Sequence, residues 1–551
     1  MPPFIAQLRK IISGDVVVDE KTLSTYSHDT SLFEVRPQAV IFPKNDEDVA
    51  ALVKWVATNK SKYPDLSITA RSGGTDMSGG AINDSIILGF EKYLNVIGPV
   101  QGDQISVQPG AWYRDFEVET LKSDLIMPAY PASRDLCAVG GMAANNAGGE
   151  KSLVYGKVEN FVKQLKVVLR DGKEYTFGPL DKQQLEKKLA QKDFEGNIYR
   201  QVHSLLNKHY DAIKAAKPSV TKNSTGYKLW DIWDKEKETF DLSQLIIGSQ
   251  GTLGIITDIT FRLVHSPKHS GVLVGYARNL DKMGKTIATL RKHQPTAIEA
   301  FDEHTLRFAF RFFLQFRQGI GWFGLFRLAI SLIPDAFILL RGTPKIIFIA
   351  SFEDDDQTVI TNKILALQKE LDSKNWGMIT ERAETEAKSE RFWMMRRKSF
   401  KLLRDNVKGN LHTAPFIDDV VVPPEHVQAF WPKIKKILKK YNLNYTIAGH
   451  LGDGNFHIIP LMDVSKESER AKIEPCLRDV MDLIKQFGGV ISGEHNDGLI
   501  RSPFLEKMYG EDIFKLFKEV KGVFDPQGIF NPHKKTDADW EFSEKHIREH
   551  F

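Results

Sequence analysis

The stretch Thr446-Ile-Ala-Gly-His-Leu-Gly-Asp-Gly-Asn-Phe-His-Ile-Ile-Pro460 places two imidazoles on what reads as a β-hairpin. Gly452-Asp453-Gly454-Asn455 is turn chemistry, with apolar residues on both sides. With those four residues as the loop, Leu451 faces Phe456 and His450 faces His457. Directly opposed hairpin residues hold their Cβ atoms roughly 5 Å apart on one face. Two imidazoles closing on one face suit a divalent metal; two hydrogen-bonded hairpin histidines are the competing reading. A second stretch, Gly488-Gly-Val-Ile-Ser-Gly-Glu494-His495-Asn-Asp-Gly498, reads as a short apolar strand that ends in a carboxylate and an imidazole. His450, His457 and Glu494 have the composition of a catalytic zinc site, which keeps positions open for water or substrate, and His495 is left to act as a base.

Length and composition bound what can carry these groups. The 551 residues predict two or three domains, and the 42% hydrophobic and 26% charged fractions are ordinary for a globular chain. With 75 basic and 71 acidic side chains the net charge is +4, so bulk electrostatics give no case for nucleic-acid binding. Cys137 and Cys476 are the only cysteines, which excludes a four-cysteine iron–sulfur cluster and a disulfide framework and fits a reducing compartment. The opening Met-Pro-Pro-Phe-Ile-Ala-Gln-Leu-Arg-Lys has no basic region followed by a long apolar run; no secretory signal and a cytoplasmic location are expected.

Along the chain, a short N-terminal helix, a strand at Asp15–Val18, a strand at Gln38–Pro43 and a helix at Glu47–Ala57 precede a strand at Leu66–Ala70. That strand runs into Arg71-Ser-Gly-Gly-Thr-Asp-Met-Ser-Gly-Gly80. Another strand, Ser85–Leu88, follows instead of a helix, so the helix-dipole scheme of a βαβ nucleotide site is missing. A glycine-rich loop can instead form a backbone nest for a pyrophosphate, a generic tight turn being the alternative. Strand signal continues at Gln104–Gln108. Two further runs of small residues follow, Pro131–Gly149 and Gly248–Thr257. Three such loops, each beside a strand, predict one extended ligand wrapped by backbone.

On these motifs residues 35–265 resemble the FAD-binding domain of the vanillyl-alcohol oxidase and p-cresol methylhydroxylase type. The C-terminal part resembles the FAD-linked oxidase C-terminal domain, through His450–His457, Glu494-His495 and Phe524-Asp-Pro526…Phe530-Asn-Pro532. The resemblance implies an α+β fold: a two-subdomain FAD-binding domain plus an α+β cap domain with an antiparallel sheet. Its expected divisions are an N-terminal segment 1–34, an FAD domain 35–267, a cap 268–510 with the metal site, and a C-terminal return 511–551. The expected FAD contacts are Arg71, Ser72, Gly73, Gly74, Thr75, Asp76 and Ser78; Pro131, Ser133, Gly140, Gly141, Asn145, Asn146, Gly148 and Gly149; Tyr155 and Gly156; Gly251, Gly254, Ile255 and Ile256; and Asn531. Thr75 and Asp76 stand in the first loop, which has no histidine, so FAD is expected to be non-covalent.

The family includes D-lactate dehydrogenases, D-2-hydroxyglutarate dehydrogenases and the FAD subunit of glycolate oxidase. It therefore implies oxidation of a D-2-hydroxy acid to the 2-oxo acid, with hydride passing to flavin N5. His450, His457 and Glu494 would hold Zn2+, or Mn2+ or Fe2+; His495 would be the base; Asn455 would orient the substrate or the flavin edge; Arg396, in Arg391-Phe-Trp-Met-Met-Arg396, would bind the substrate carboxylate. Lys222-Asn-Ser-Thr-Gly-Tyr227 resembles a family loop near the flavin or substrate, its lysine a source of positive charge. Phe400 and Phe416 stand where the D-2-hydroxyglutarate enzymes have polar substrate residues, so a second carboxylate would need Lys398, Lys401 or Arg501. Relatives usually have Gly after the Glu-His pair; Asn496, tolerant of a left-handed backbone, stands here.

The electron acceptor would be a quinone, a cytochrome, a flavoprotein carrier or a separate iron–sulfur subunit. Residues 305–341 carry Phe308, Phe312 and Phe316 on one helical face and Arg307, Arg311 and Arg317 on a polar arc. They are too interrupted for a membrane span, and read as a peripheral patch for the inner face of the membrane, with a core helix or partner interface as the alternative. Two other functions fit the same scaffold: a metal-free alcohol or amine oxidase or alkyl-dihydroxyacetone-phosphate synthase, and a non-enzymatic membrane-associated subunit.

Overall fold

A computed structural model describes residues 3–305, 343–386, 388–390, 392–393 and 410–550. The segment after Thr305, and Arg396, Lys398, Phe400 and Lys401, lie outside the described residues. Among the described residues no helix is long and apolar enough to cross a membrane.

The fold is α+β, built on three sheets. The first has the order Asp15–Val17, Ala39–Phe42, Ile86–Gly89, Ile68–Arg71, and its last three strands are parallel. Ala39–Phe42 and Ile86–Gly89 are buried throughout, as continuous apolar runs between two covered faces should be. The helix Asp46–Asn59 packs here through Val49, Leu52, Val53 and Val56; the Asn45 side chain caps it by accepting from the Asp48 N–H, and three acids occupy its first turn. The second sheet is antiparallel, with the order Gln104–Val107, Ile255–Arg262, Val162–Val168, Glu174–Phe177.

The third sheet is antiparallel and eight-stranded among the described residues. Its order is Met378–Ala383, His269–Ala277, Ile346–Asp354, Ala297–Asp302, Asn444–His450, Asn455–Met462, His412–Thr413, with Val420–Val421 also paired to Asn455–Met462. The chain then comes back. The helix Glu511–Phe524 buries Phe514, Phe517 and Phe524 in the core of the second sheet, and Ile529 and Phe530 enter the core of the first.

Three local expectations are corrected. In the hairpin, His450 pairs with Asn455 and Ala448 with His457, so the loop is Leu451–Gly454 and not Gly452–Asn455. The reason is Gly454, whose φ of +66° closes the turn one residue before the expected end. The histidines are therefore diagonal neighbours; because residues two apart share a face, both still project from the same side, with ring centroids 5.3 Å apart. The run Gly488–Glu494 makes no strand, only a bridge between Val490 and Val421. Within Pro131–Gly149, Val139–Asn145 is a helix.

A β-carbon on Gly454 would lie 2.0 Å from the Val422 carbonyl oxygen, whereas one on Gly102, also left-handed at φ +63°, would meet nothing. Gly102→Ala should cost only the conformational penalty, about 1–2 kcal/mol. Gly454→Ala should cost distinctly more, because the backbone at Val422 must also move. Thermal and denaturant unfolding of the two variants checks the ranking.

Candidate active site

One cleft of about 970 Å³ connects the glycine loops with the histidines. One end is walled by residues 70–77, 130–145 and 250–256; the other reaches Glu299, Ala448, His450, His457, Glu494 and His495. Of the residues read as FAD contacts, Arg71, Ser72, Gly73, Gly74, Thr75, Asp76, Pro131, Ser133, Gly140, Gly141, Asn145, Gly251, Gly254 and Ile256 line it. A β-carbon on Gly141 would meet no protein atom within 4 Å, so the room that glycine leaves belongs to the cleft. The volume and the small-residue wall fit a ligand of FAD's size.

Ser78, Asn146, Gly148, Gly149, Tyr155, Gly156, Ile255 and Asn531 do not line the cleft. Several of them instead hold the loops that do. Asp76 turns its carboxylate inward, accepting from Ser78 N–H at 2.9 Å and Gly80 N–H at 2.7 Å. Asn531 accepts from the Thr69 hydroxyl and donates to the carbonyls of Gly80 and Gln250. A β-carbon on Gly149 would lie 2.1 Å from the Tyr130 carbonyl oxygen, so that glycine serves close backbone packing. Gln250, overlooked in the sequence although it sits inside the third small-residue loop, lines the cleft. It ties three loops: its Nε2 lies 3.3 Å from both Asp76 Oδ2 and Asn145 Oδ1, and its Oε1 accepts from Gly498 N–H at 2.8 Å.

At the other end the imidazoles converge. Glu494 Oε1 lies 3.0 Å from His450 Nε2, 3.3 Å from His457 Nε2 and 3.9 Å from His495 Nε2. The opposite nitrogens are each held by a carboxylate. His450 Nδ1 is 2.5 Å from Glu299 Oε1, His457 Nδ1 is 2.9 Å from Asp418 Oδ1, and His495 Nδ1 is 2.7 Å from Asp418 Oδ2. A carboxylate behind the outer nitrogen turns the inner lone pair toward a shared point, the arrangement of histidines that bind metal. The donor atoms of His450, His457 and Glu494 all lie within 4.8 Å of one another, so the set fits a divalent ion.

The electrostatics call for positive charge at that point. Burial opposes the charged form of His457, yet Asp418 and Glu494 raise its pKa to about 10. His450 and His495 are raised against the same burial, by Glu299 and by Asp418 with Asp419. Glu494 stays well below the ordinary carboxylate range despite burial, through Lys222 and His450.

Asp419 fixes the turn that presents Glu494 and His495. Its Oδ2 accepts from Glu494 N–H at 2.8 Å, His495 N–H at 2.7 Å and the Ser492 hydroxyl at 2.6 Å. Asn455 does not line the cleft; its amide nitrogen donates to Asp419 Oδ1 at 2.9 Å and to the Val420 carbonyl at 3.3 Å, and so supports this turn. Asn496 takes φ +69° and donates to the carbonyls of Gly248 and Asn145, stitching the turn to the cleft wall. Arg501 is fully buried, its guanidinium bonded to the carbonyls of Asn496 and Asp418, so it is not available to a second substrate carboxylate. Phe416 is buried in the core around the third sheet, away from the cleft.

Glu299 and Asp418 were not read from the sequence as site residues. Glu299 is one of two acids, with Asp302, in the buried strand Ala297–Asp302, and its neighbours in sequence do not set it apart. Asp418 and Asp419 are a pair of acids placed directly before the apolar Val420-Val-Val422.

The fold is that of p-cresol methylhydroxylase with substrate bound, matched at a TM-score of 0.67 and 16% identity over 98% of this chain and 96% of that one. Residues 37–178 match the family model of the FAD binding domain, and residues 266–535 that of the FAD linked oxidases, C-terminal domain. The chain belongs to the FAD-linked oxidases. A D-2-hydroxyglutarate dehydrogenase of Escherichia coli is 28% identical over 536 residues, 95% of this chain and 50% of that one. A D-lactate dehydrogenase of Archaeoglobus fulgidus is 26% identical over 499 residues, 90% of each chain. The chain spans about half the length of the Escherichia coli relative.

If Asn455 acts only through Asp419, their effects are coupled. Asn455→Ala should destabilise by about 1–3 kcal/mol, since it leaves a buried acceptor without its donor. Asp419→Ala should cost more, and the double variant should fall short of the sum by about 0.5 kcal/mol or more. Denaturant unfolding of the two single variants and the pair checks this; additive losses would return Asn455 to an independent role.

Proposed function

We propose that this FAD-linked oxidoreductase oxidises a D-2-hydroxy acid to the 2-oxo acid. The observation that carries this reading is the convergence of three imidazole Nε2 atoms on one Glu494 oxygen, at the end of a cleft that begins at the glycine loops. The loops at 71–76, 131–145 and 251–256 would hold FAD without a covalent bond. In support, the first loop offers Thr75 and Asp76, and the Asp76 carboxylate is engaged by the loop's own N–H groups. His450, His457 and Glu494 would hold a divalent metal, Zn2+ or else Mn2+ or Fe2+. When bound, FAD would supply the hydride acceptor and the metal would acidify the substrate hydroxyl.

The chain's own residues then have distinct tasks. Asp418 presents the Nε2 atoms of His457 and His495 to one place. His495, held by Asp418 and part-exposed to the cleft, would receive the hydroxyl proton on Nε2. Arg396 would bind the substrate carboxylate, a role that rests on its motif. Electrons would leave to a separate acceptor: a quinone, a cytochrome, a flavoprotein carrier or an iron–sulfur subunit. With Arg501 bonded to main-chain carbonyls, one carboxylate is easier to accommodate than two.

Purified protein, kept anaerobic, should show flavin absorbance that bleaches with one of D-lactate, D-2-hydroxyglutarate or glycolate and fails to bleach after chelation. His495→Asn should retain FAD and slow bleaching by about 10²–10⁴-fold. Bleaching at full speed in that variant would remove His495 from its role, and full-speed bleaching after complete metal removal would favour a metal-free oxidase.

A further inference from the structure

We propose that Lys222 is a positioning residue that restricts Glu494 to a single ligating oxygen, and so keeps open the place a chelating substrate must take. The proposal rests on the metal reading above. Lys222 is 1% exposed, and it does not line the cleft. Its Nζ donates to the Gly149 carbonyl at 3.1 Å and to Glu494 Oε2 at 3.2 Å, and pairs with the Asp453 carboxylate, Oδ2 lying 3.5 Å away.

The two oxygens of Glu494 are thereby divided. Oε2 faces the ammonium, and Oε1 faces the three imidazole nitrogens. For both oxygens to face one ion, Oε2 would have to leave a charge-assisted hydrogen bond between two buried side chains. The Gly149 carbonyl and the Asp453 carboxylate also hold the ammonium, so Lys222 would have to give up both contacts to follow. A 2-hydroxy acid that binds through its hydroxyl and one carboxylate oxygen needs two adjacent coordination positions. In a five-coordinate ion, two histidines and one carboxylate oxygen leave such a pair, and a second carboxylate oxygen would fill one of the two.

A simpler account makes Lys222 a buried cation that joins the loop at 222–227 to Glu494 and attracts anions. The two accounts separate on the kind of anion. Oxalate chelates through two oxygens and carries no hydride to give; azide binds through one atom. The experiment uses the full-length, FAD-loaded protein with Co2+ in place of the native metal, in wild type and Lys222→Met, and titrates each anion against the cobalt visible bands. Lys222→Met should keep FAD and cobalt and weaken oxalate by about tenfold or more, while azide weakens by a clearly smaller factor. Equal losses for the two anions, or no loss of oxalate affinity, would overturn the proposal.

Should Lys222→Met not fold, X-ray absorption and a crystal structure of the metal-loaded wild type decide. One Glu494 oxygen at about 2.0–2.2 Å from the ion supports the proposal, and two comparable contacts overturn it. Wild-type protein that takes up no cobalt defeats the metal reading itself, a failure distinct from the failure of Lys222.

Discussion

Two consecutive carboxylates, Asp418 and Asp419, are fully buried side by side, and the site depends on how their charge is met. An unpaired buried carboxylate would cost several kcal/mol. Asp418 divides its oxygens between His457 and His495 and is held well below its ordinary pKa against burial. Asp419 gathers two backbone N–H groups, a hydroxyl and an amide. Adjacent side chains on an extended strand point to opposite faces; here both must reach one site. Asp419 takes φ +78°, a left-handed conformation that accommodates this just before the strand Val420–Val421 begins.

The same constraint joins the site to the cofactor cleft. The turn that Asp419 clamps carries Glu494 and His495 inward and delivers Asn496 to the carbonyls of Gly248 and Asn145. Gln250 accepts from Gly498, one step further along, and reaches Asp76 in the first glycine loop. Lys222 links Gly149 to Glu494. Each link is a hydrogen bond between a cleft-wall loop and the turn, so a displacement of either is felt at both. Asn531 and Gly149, which do not line the cleft, hold its wall through these bonds.

The parts of the fold most legible in the sequence were local. Asn45 before three acids marks a helix start, and alternating small and apolar runs mark the three cleft loops; both signals depend on neighbouring residues alone. The hairpin shows the limit. Its loop length was correct at four residues, but its position depends on which glycine takes the left-handed conformation, and Gly454, which does, is packed against the Val422 carbonyl from a different segment. Glu299 and Arg501 lay beyond reach for the same reason. One acquires its meaning from His450, about 150 residues away in the chain, and the other loses its expected meaning to two main-chain carbonyls. Asn455 was legible as a site residue by its motif but not by its direction, because Asp419 is what its amide meets.

Charge balance connects these observations to chemistry. Around Glu494 Oε1 stand three imidazoles whose protonated forms are favoured, ringed by Glu299, Asp418, Asp419 and Asp453, with Lys222 the nearest fixed cation. Protons on the Nε2 atoms would meet this surplus of negative charge by gathering imidazolium rings around the single oxygen Glu494 Oε1. A divalent ion supplies the same charge at the centre and leaves the Nδ1–carboxylate bonds intact. The raised pKa values and the converging lone pairs are thus two expressions of one arrangement. On the proposed reading, proton and metal would compete for His450 and His457, whereas His495, with the longest distance to Glu494, would be the imidazole left to exchange a proton.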